Sequence, residues 1–79
     1  MLHDRHTRKY YLALSLAIYD DMPTWTKEIR KTNLYKATRK QLYDYCKEIY
    51  NDYRRRMLPE AYTKWILTIE RDALRRLIK

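Results

Sequence analysis

Six cations crowd one short stretch of this chain. Lys27, Arg30, Lys31, Lys36, Arg39 and Lys40 stand within residues 24–42 against one acid, Glu28, so this stretch carries a net of +5 out of a whole-chain net of +8. The chemistry open to such a cluster is recognition of anions. Arginine outnumbers lysine, 10 to 8, and the planar guanidinium suits bidentate contact with phosphate and base edges better than an ammonium does. The excess of positive charge points to an anionic partner: nucleic acid, a membrane surface or an acidic protein. For each single cation the plain alternative is a solvated helix face. Arg54, Arg55 and Arg56 carry the same two readings. Near the end of a helix they complement its dipole, and Arg54 and Arg55 also suit phosphate contacts.

Other reactive side chains are sparse. Cys46 is the single cysteine, so the chain has no internal disulfide and no CxxC metal pair. No histidine lies at helical distance from it, and a nucleophile needs a nearby base. His3 and His6 are three apart, but two ligands at the start of the chain make a poor metal site beside the plain reading of solvated rings. Asp20 with Asp21, and Glu48 with Asp52, read as solvated acids. There is no glycine, hence no glycine loop for a nucleotide. The expectation is a binding protein, not an enzyme, with no cofactor and no metal. Nine tyrosines and no phenylalanine favour half-buried rings whose hydroxyls find partners. Tyrosines among cations also stack on single-stranded bases, but Tyr43, Tyr50 and Tyr53 fall at the spacing of a helix stripe, which favours core.

The elements that position these groups read as helices. Seventy-nine residues make one domain, 1–79, and sheet proteins of this size usually need glycine at hairpin turns. The expected fold is all-α, a small four-helix domain with a long third helix and no sheet. Helices are expected at about 7–20, 24–32, 35–57 and 60–78. Residues 10–19 are apolar on nearly every face, as in a helix buried in a bundle or at a subunit contact. That run is about half the ~20 residues of a membrane span. It follows a basic start, but Asp20-Asp21-Met22-Pro23 comes next with no small-x-small cleavage site, so the reading is a buried helix in a cytoplasmic protein. Thr24 after Pro23 suits an N-cap. Asn33 tolerates a left-handed backbone and suits the turn that follows; alternatively it caps the next helix. Leu34, Thr38, Leu42, Tyr45 and Ile49, with Tyr43, Cys46, Tyr50, Tyr53 and Met57 beside them, form a broad apolar face. Pro59 breaks the chain. In the last helix Tyr62, Ile66, Ile69, Ala73 and Leu77 share one face with Trp65 beside it, while Leu67, Leu74 and Ile78 form a second apolar line. Two lines on one helix suggest contact with both its own core and a partner chain, and a homodimer would also relieve the small core of so short a chain.

The order of a buried first helix, a short helix over 24–32, a turn at Asn33-Leu34 and a helix from Tyr35 resembles the helix-turn-helix class of DNA-binding regulators found in phages, plasmids and bacteria. The resemblance covers roughly residues 10–47, and Ile29, Asn33 and Leu34 occupy its apolar, turn and apolar places. Arg39 departs from the class, which usually has a buried Val or Ile near there, and no strand pair follows to make a wing. The resemblance implies transcription regulation by a helix from Tyr35 set end-on into the major groove of double-stranded DNA. Lys36, Arg39, Lys40 and Tyr43 would lie on one side of it. Arg39 or Gln41 would read a base, and Lys27, Arg30 and Lys31, helped by Thr24, would hold phosphates. Two other functions fit the residues: a helical adaptor or inhibitor whose basic face meets an acidic protein, and a small RNA-binding protein.

Overall fold

The computed structural model describes residues 5–22 and 30–78. They form four helices, α1 (Arg8–Asp21), α2 (Lys31–Lys36), α3 (Arg39–Arg56) and α4 (Pro59–Ile78), and no strand among the described residues. The domain is small and all-α.

Helix α1 is the axis of the fold, and α2, α3 and α4 all pack on it. Its sequence explains why. Tyr11, Ala13, Leu14, Ser15, Leu16, Ala17 and Ile18 are all buried, a run too continuous to leave one side of a helix to water. Two apolar clusters form around it. One joins α1 to α3 and α4 through Ala13, Leu14, Ala17, Ile18, Cys46, Tyr50, Ile69 and Ala73. The other joins α1 to α2 and α3 through Tyr11, Leu16, Leu34 and Leu42. The helix starts at Thr7, whose hydroxyl accepts from the Tyr10 N–H at 3.3 Å, a side-chain N-cap.

The two aspartates that end α1 are unfavourable for its dipole, and the packing explains their place. Asp20 accepts from Lys31 Nζ at 3.0 Å and from Arg76 at 2.6 Å, so one carboxylate ties α1 to both α2 and α4. Asp21 accepts from the indole N–H of Trp65 at 2.8 Å. Partial burial alone would raise the Asp20 carboxyl, but the hydrogen bonds from Arg76 and Lys31 outweigh it and hold the group below its ordinary range. A depressed folded pKa stabilises the fold above the unfolded value, and that stability disappears as pH falls through the folded value. The three side chains are part-exposed, so solvent screening limits the link to about 0.5–1 kcal/mol. The variant Asp20→Asn should therefore be less stable at pH 7 by that amount. Its deficit should shrink as pH falls through the depressed value of the folded state. Urea melts of both proteins at pH 7 and pH 2.5 would show it, and an equal deficit at both values would remove Asp20 from the account.

Helix α3 carries an alternating burial that the periodicity of its sequence predicts. Leu42, Cys46 and Tyr50 are buried, and Tyr53 lies against Trp65 of α4, ring centres 4.4 Å apart. Asp52 meets both Arg55 and Arg56 in the last turns. Cys46 is a core residue: its Sγ lies 3.1 Å from Ser15 Oγ, and burial pushes the thiol up to about 12. At neutral pH it is protonated and unsuited to nucleophilic work. Tyr50 has a buried hydroxyl with no hydrogen-bond partner among the described residues. An unpaired buried hydroxyl costs stability. Tyr50→Phe should gain about 1 kcal/mol and raise Tm by roughly 4–8 °C. A lower Tm in calorimetry would mean that the hydroxyl is bonded in solution.

Helix α4 starts with Pro59 in its first turn, where a missing N–H costs nothing. Ile69 and Ala73 are its buried residues, with Trp65, Ile66 and Leu77 packed against the same cluster. The second apolar line, Leu67, Leu74 and Ile78, stays exposed.

Three of the four expected helices match within a few residues at each end. The short one does not. The part of 24–32 before Arg30 lies outside the described residues, and the expected turn at Asn33-Leu34 is overturned: both residues are inside α2. No described residue has a positive φ, so Asn33 does not use its left-handed tolerance. The chain instead breaks at Ala37 and Thr38, both extended. Thr38 then opens α3 with a capping box, its hydroxyl accepting from the Gln41 N–H at 3.2 Å while Gln41 Oε1 accepts from the Thr38 N–H at 2.9 Å. Two orphan amides are satisfied at once, a stronger start signal than a permissive Asn.

Candidate nucleic-acid interface

The first turns of α1 and α3 and the last turn of α2 are held together at one end of the molecule. Arg8 makes part of that joint. Its guanidinium donates to Ala37 O at 3.0 Å and to Tyr35 O at 2.7 Å, satisfying carbonyls that the end of α2 leaves open. Arg39 makes another part. Its Nε donates to His6 O at 2.8 Å, and its guanidinium lies 5.3 Å from the centre of the Tyr11 ring. Tyr11 in turn accepts at its hydroxyl from the N–H groups of Arg5 and His6, at 3.1 and 3.3 Å. The His6 ring stacks on Tyr10 with centres 3.9 Å apart.

This end is strongly positive. Arg5, Arg8, Lys36 and Lys40 are exposed there and Arg39 is half-buried. Along α3 the same line continues through Tyr43, four residues on from Arg39, to Lys47, whose Nζ sits 5.9 Å from the Tyr43 ring centre. Asp44 is the one acid between them in the sequence. The first turns of α1 and α3 add the positive ends of two helix dipoles to the same place. Such an end fits a run of phosphates.

The sequence-predicted residues do not all come together. Arg8 was not among them, but Lys36, Arg39, Lys40 and Tyr43 do come together with it. Arg30 is exposed at the N-cap of α2. Thr24 and Lys27 lie outside the described residues. Lys31 is drawn away: its ammonium pairs with Asp20 at the far end of α1. Arg54 and Arg55 are exposed but belong to the other end of α3, roughly 22 Å from Arg39 at 1.5 Å per residue. The stretch with the densest charge in the sequence is therefore not one surface.

The two base-reading candidates are changed more than the phosphate ones. Gln41 spends its carbonyl oxygen on the Thr38 amide. Arg39 spends its Nε on a backbone carbonyl. Both act as local architecture. Arg5, Arg8 and Lys47 were missed by sequence reasoning. A possible signal was the spacing of Arg39, Tyr43 and Lys47 at successive fourth residues; Arg5 and Arg8 had none, because their neighbours here are distant in sequence.

No helix among the described residues is long and apolar enough to cross a membrane. No group of three or more His, Cys, Asp and Glu among them could hold a metal ion. His3, part of the weak histidine pair, lies outside the described residues. Compared with protein-family models, curated proteins and solved structures, the chain matches none.

Proposed function

We propose that this chain is a small DNA-binding protein that grips the duplex backbone with the basic end formed by Arg5, Arg8, Lys36, Arg39, Lys40 and Lys47. The observation that carries the reading is the joint itself. Hydrogen bonds from Arg8 to α2 and from Arg39 to the start of α1 bring cations from three elements onto one rigid surface. The joint fixes the backbone that carries these cations, so their places relative to one another are set before binding, which favours affinity.

The mode of contact follows from what each side chain has left to offer. Arg8 and Arg39 keep their charge while their nitrogens are used to shape the end. Lys36, Lys40 and Lys47 are the exposed cations that meet phosphate oxygens. Exposed Lys40 and Lys47 and half-buried Tyr43, in the first three turns of α3, are the ones placed to reach a groove, in place of the helix expected from Tyr35. With Gln41 engaged in the cap, most of the binding energy comes from the backbone and little from base edges. Regulation of transcription is the cellular use this reading proposes, with specificity resting on those α3 side chains.

Fluorescence anisotropy of a labelled duplex pool, titrated across a salt series, tests it. Binding by about four to six phosphate contacts predicts that log K falls against log salt with a slope near −4 to −5. A flat salt response sinks the proposal. Tighter binding to a hairpin or single-stranded RNA at matched salt would move the same surface to RNA.

A further inference from the structure

Helix α4 has two faces of different use. Its inner face is spent on the core through Trp65, Ile66, Ile69, Ala73 and Leu77. On its outer face Leu67, Leu74 and Ile78 are 57%, 52% and 83% exposed. They fall at i, i+7 and i+11, which sets them in one line along about three turns. Exposed cations lie along one side of that line at Lys64, Arg71 and Arg75, and half-buried Glu70 lies on the other. Unlike Arg76, which is held by Asp20 and Asp72, Arg71 and Arg75 form no ion pair among the described residues. The aspartates that share a groove with Arg71 and Arg75 are already engaged, Asp20 by Lys31 and Arg76, Asp72 by Arg76, Asp21 by the Trp65 indole.

From this apolar line and its unpaired cations we propose that the outer face of α4 docks an acidic amphipathic helix of a partner protein. The partner's apolar stripe covers Leu67, Leu74 and Ile78, and Glu or Asp side chains along one edge of that stripe meet Lys64, Arg71 and Arg75. This is the helix-on-helix mode of recognition, read by anchors at helical spacing. Charge complementarity selects the occupant. A second copy of this chain laid along the same face would set Arg71 and Arg75 of one protomer beside those of the other, and like charges across a contact are costly. Three aliphatic side chains are also far fewer than the roughly 20–30 residues a side of a stable interface between folded domains. A single helix needs less. An anionic membrane is the poorer fit because this exposed line carries no aromatic anchor. The helix's one Trp, the residue type that favours a membrane interface, is turned inward onto Tyr50 and Tyr53.

The probe is a synthetic 21-residue helical peptide with Leu at alternating three- and four-residue spacing and Glu along one edge of the Leu stripe, labelled for anisotropy. The whole chain should bind it with micromolar affinity. The variants Leu74→Glu and Arg71→Glu/Arg75→Glu should each lose at least tenfold. Both change exposed positions, and circular dichroism checks that they stay folded. Lys36→Glu/Lys40→Glu, at the basic end, should bind the peptide as the unaltered chain does. The proposal is overturned if the peptide fails to bind. It is also overturned if the α4 variants bind it equally well, or if the basic-end variant loses binding as much as they do. Sedimentation showing a dimer that Leu74→Glu dissociates would give the face to a second copy. Capture on vesicles of anionic lipid, lost in the same α4 variants while the peptide stays unbound, would give it to a membrane.

Discussion

Replacing Lys36, Lys40 and Lys47 together with glutamate should lower affinity for duplex DNA at least a hundredfold at 50 mM salt. The estimate is on the order of 1 kcal/mol for each lost phosphate contact, and 1.4 kcal/mol is tenfold in affinity. Repulsion from the new carboxylates adds to the loss. The same variant should show a salt slope shallower by roughly 2.7, since each neutralised phosphate contributes about 0.9. These three lysines suit the test because the described structure gives them no bond that holds the fold. Lys36 and Lys40 are exposed without a polar partner, and Lys47 has only its place over Tyr43. Arg39 and Arg8 are poorer choices. Changing either would open the joint between α1, α2 and α3 and confuse lost charge with lost shape.

The control is the opposite end of α3. Arg54→Glu/Arg55→Glu removes as much charge for each residue changed, and Arg54 and Arg55 are exposed. It should weaken binding by less than tenfold, through the general field of the molecule. If the control loses more affinity than the lysine variant, the DNA surface is the Arg54–Arg56 end and the proposed interface is wrong. If neither matters, the positive charge serves solubility or a protein partner.

Most of the fold was legible in the sequence because it rests on local pattern. The apolar run at residues 10–19 dictates a buried helix, and the spacing of Leu42, Cys46 and Tyr50 dictates which side of α3 faces it. Pro59 marks the start of α4 as clearly as any residue can. The short second helix was misread for a physical reason. Asn33 permits a turn but does not require one, whereas Thr38 and Gln41 together supply a positive signal for a helix start three residues apart. The site was less legible because its contacts are long-range. Lys31 pairs with a carboxylate eleven residues back, and Arg39 donates to a carbonyl thirty-three residues back. A count of charge along the chain places Lys31 and Arg39 in one short basic stretch, while the fold sends them to different ends.

The second large effect concerns the core under that site. Leu42→Ala should destabilise the domain by about 3 kcal/mol, the loss expected for removing a fully buried leucine and leaving a cavity. Leu42 is fully buried and shares a cluster with Tyr11, Leu16 and Leu34, so it is where α1, α2 and α3 meet. A domain of this length has roughly 4–12 kcal/mol to lose, so the change uses a large share of it and should lower Tm by about 12–24 °C. Leu74→Ala, on the exposed line of α4, should shift Tm by a few degrees at most. The comparison separates core from surface on chemically identical substitutions. DNA binding by Leu42→Ala, measured well below its Tm, should keep the unaltered salt slope, because no phosphate contact has been removed. A reduced slope in a folded Leu42→Ala protein would show that the cluster sets the spacing of the cations as well as the stability. A Tm change near that of Leu74→Ala would mean that α3 does not pack against α1 at this point.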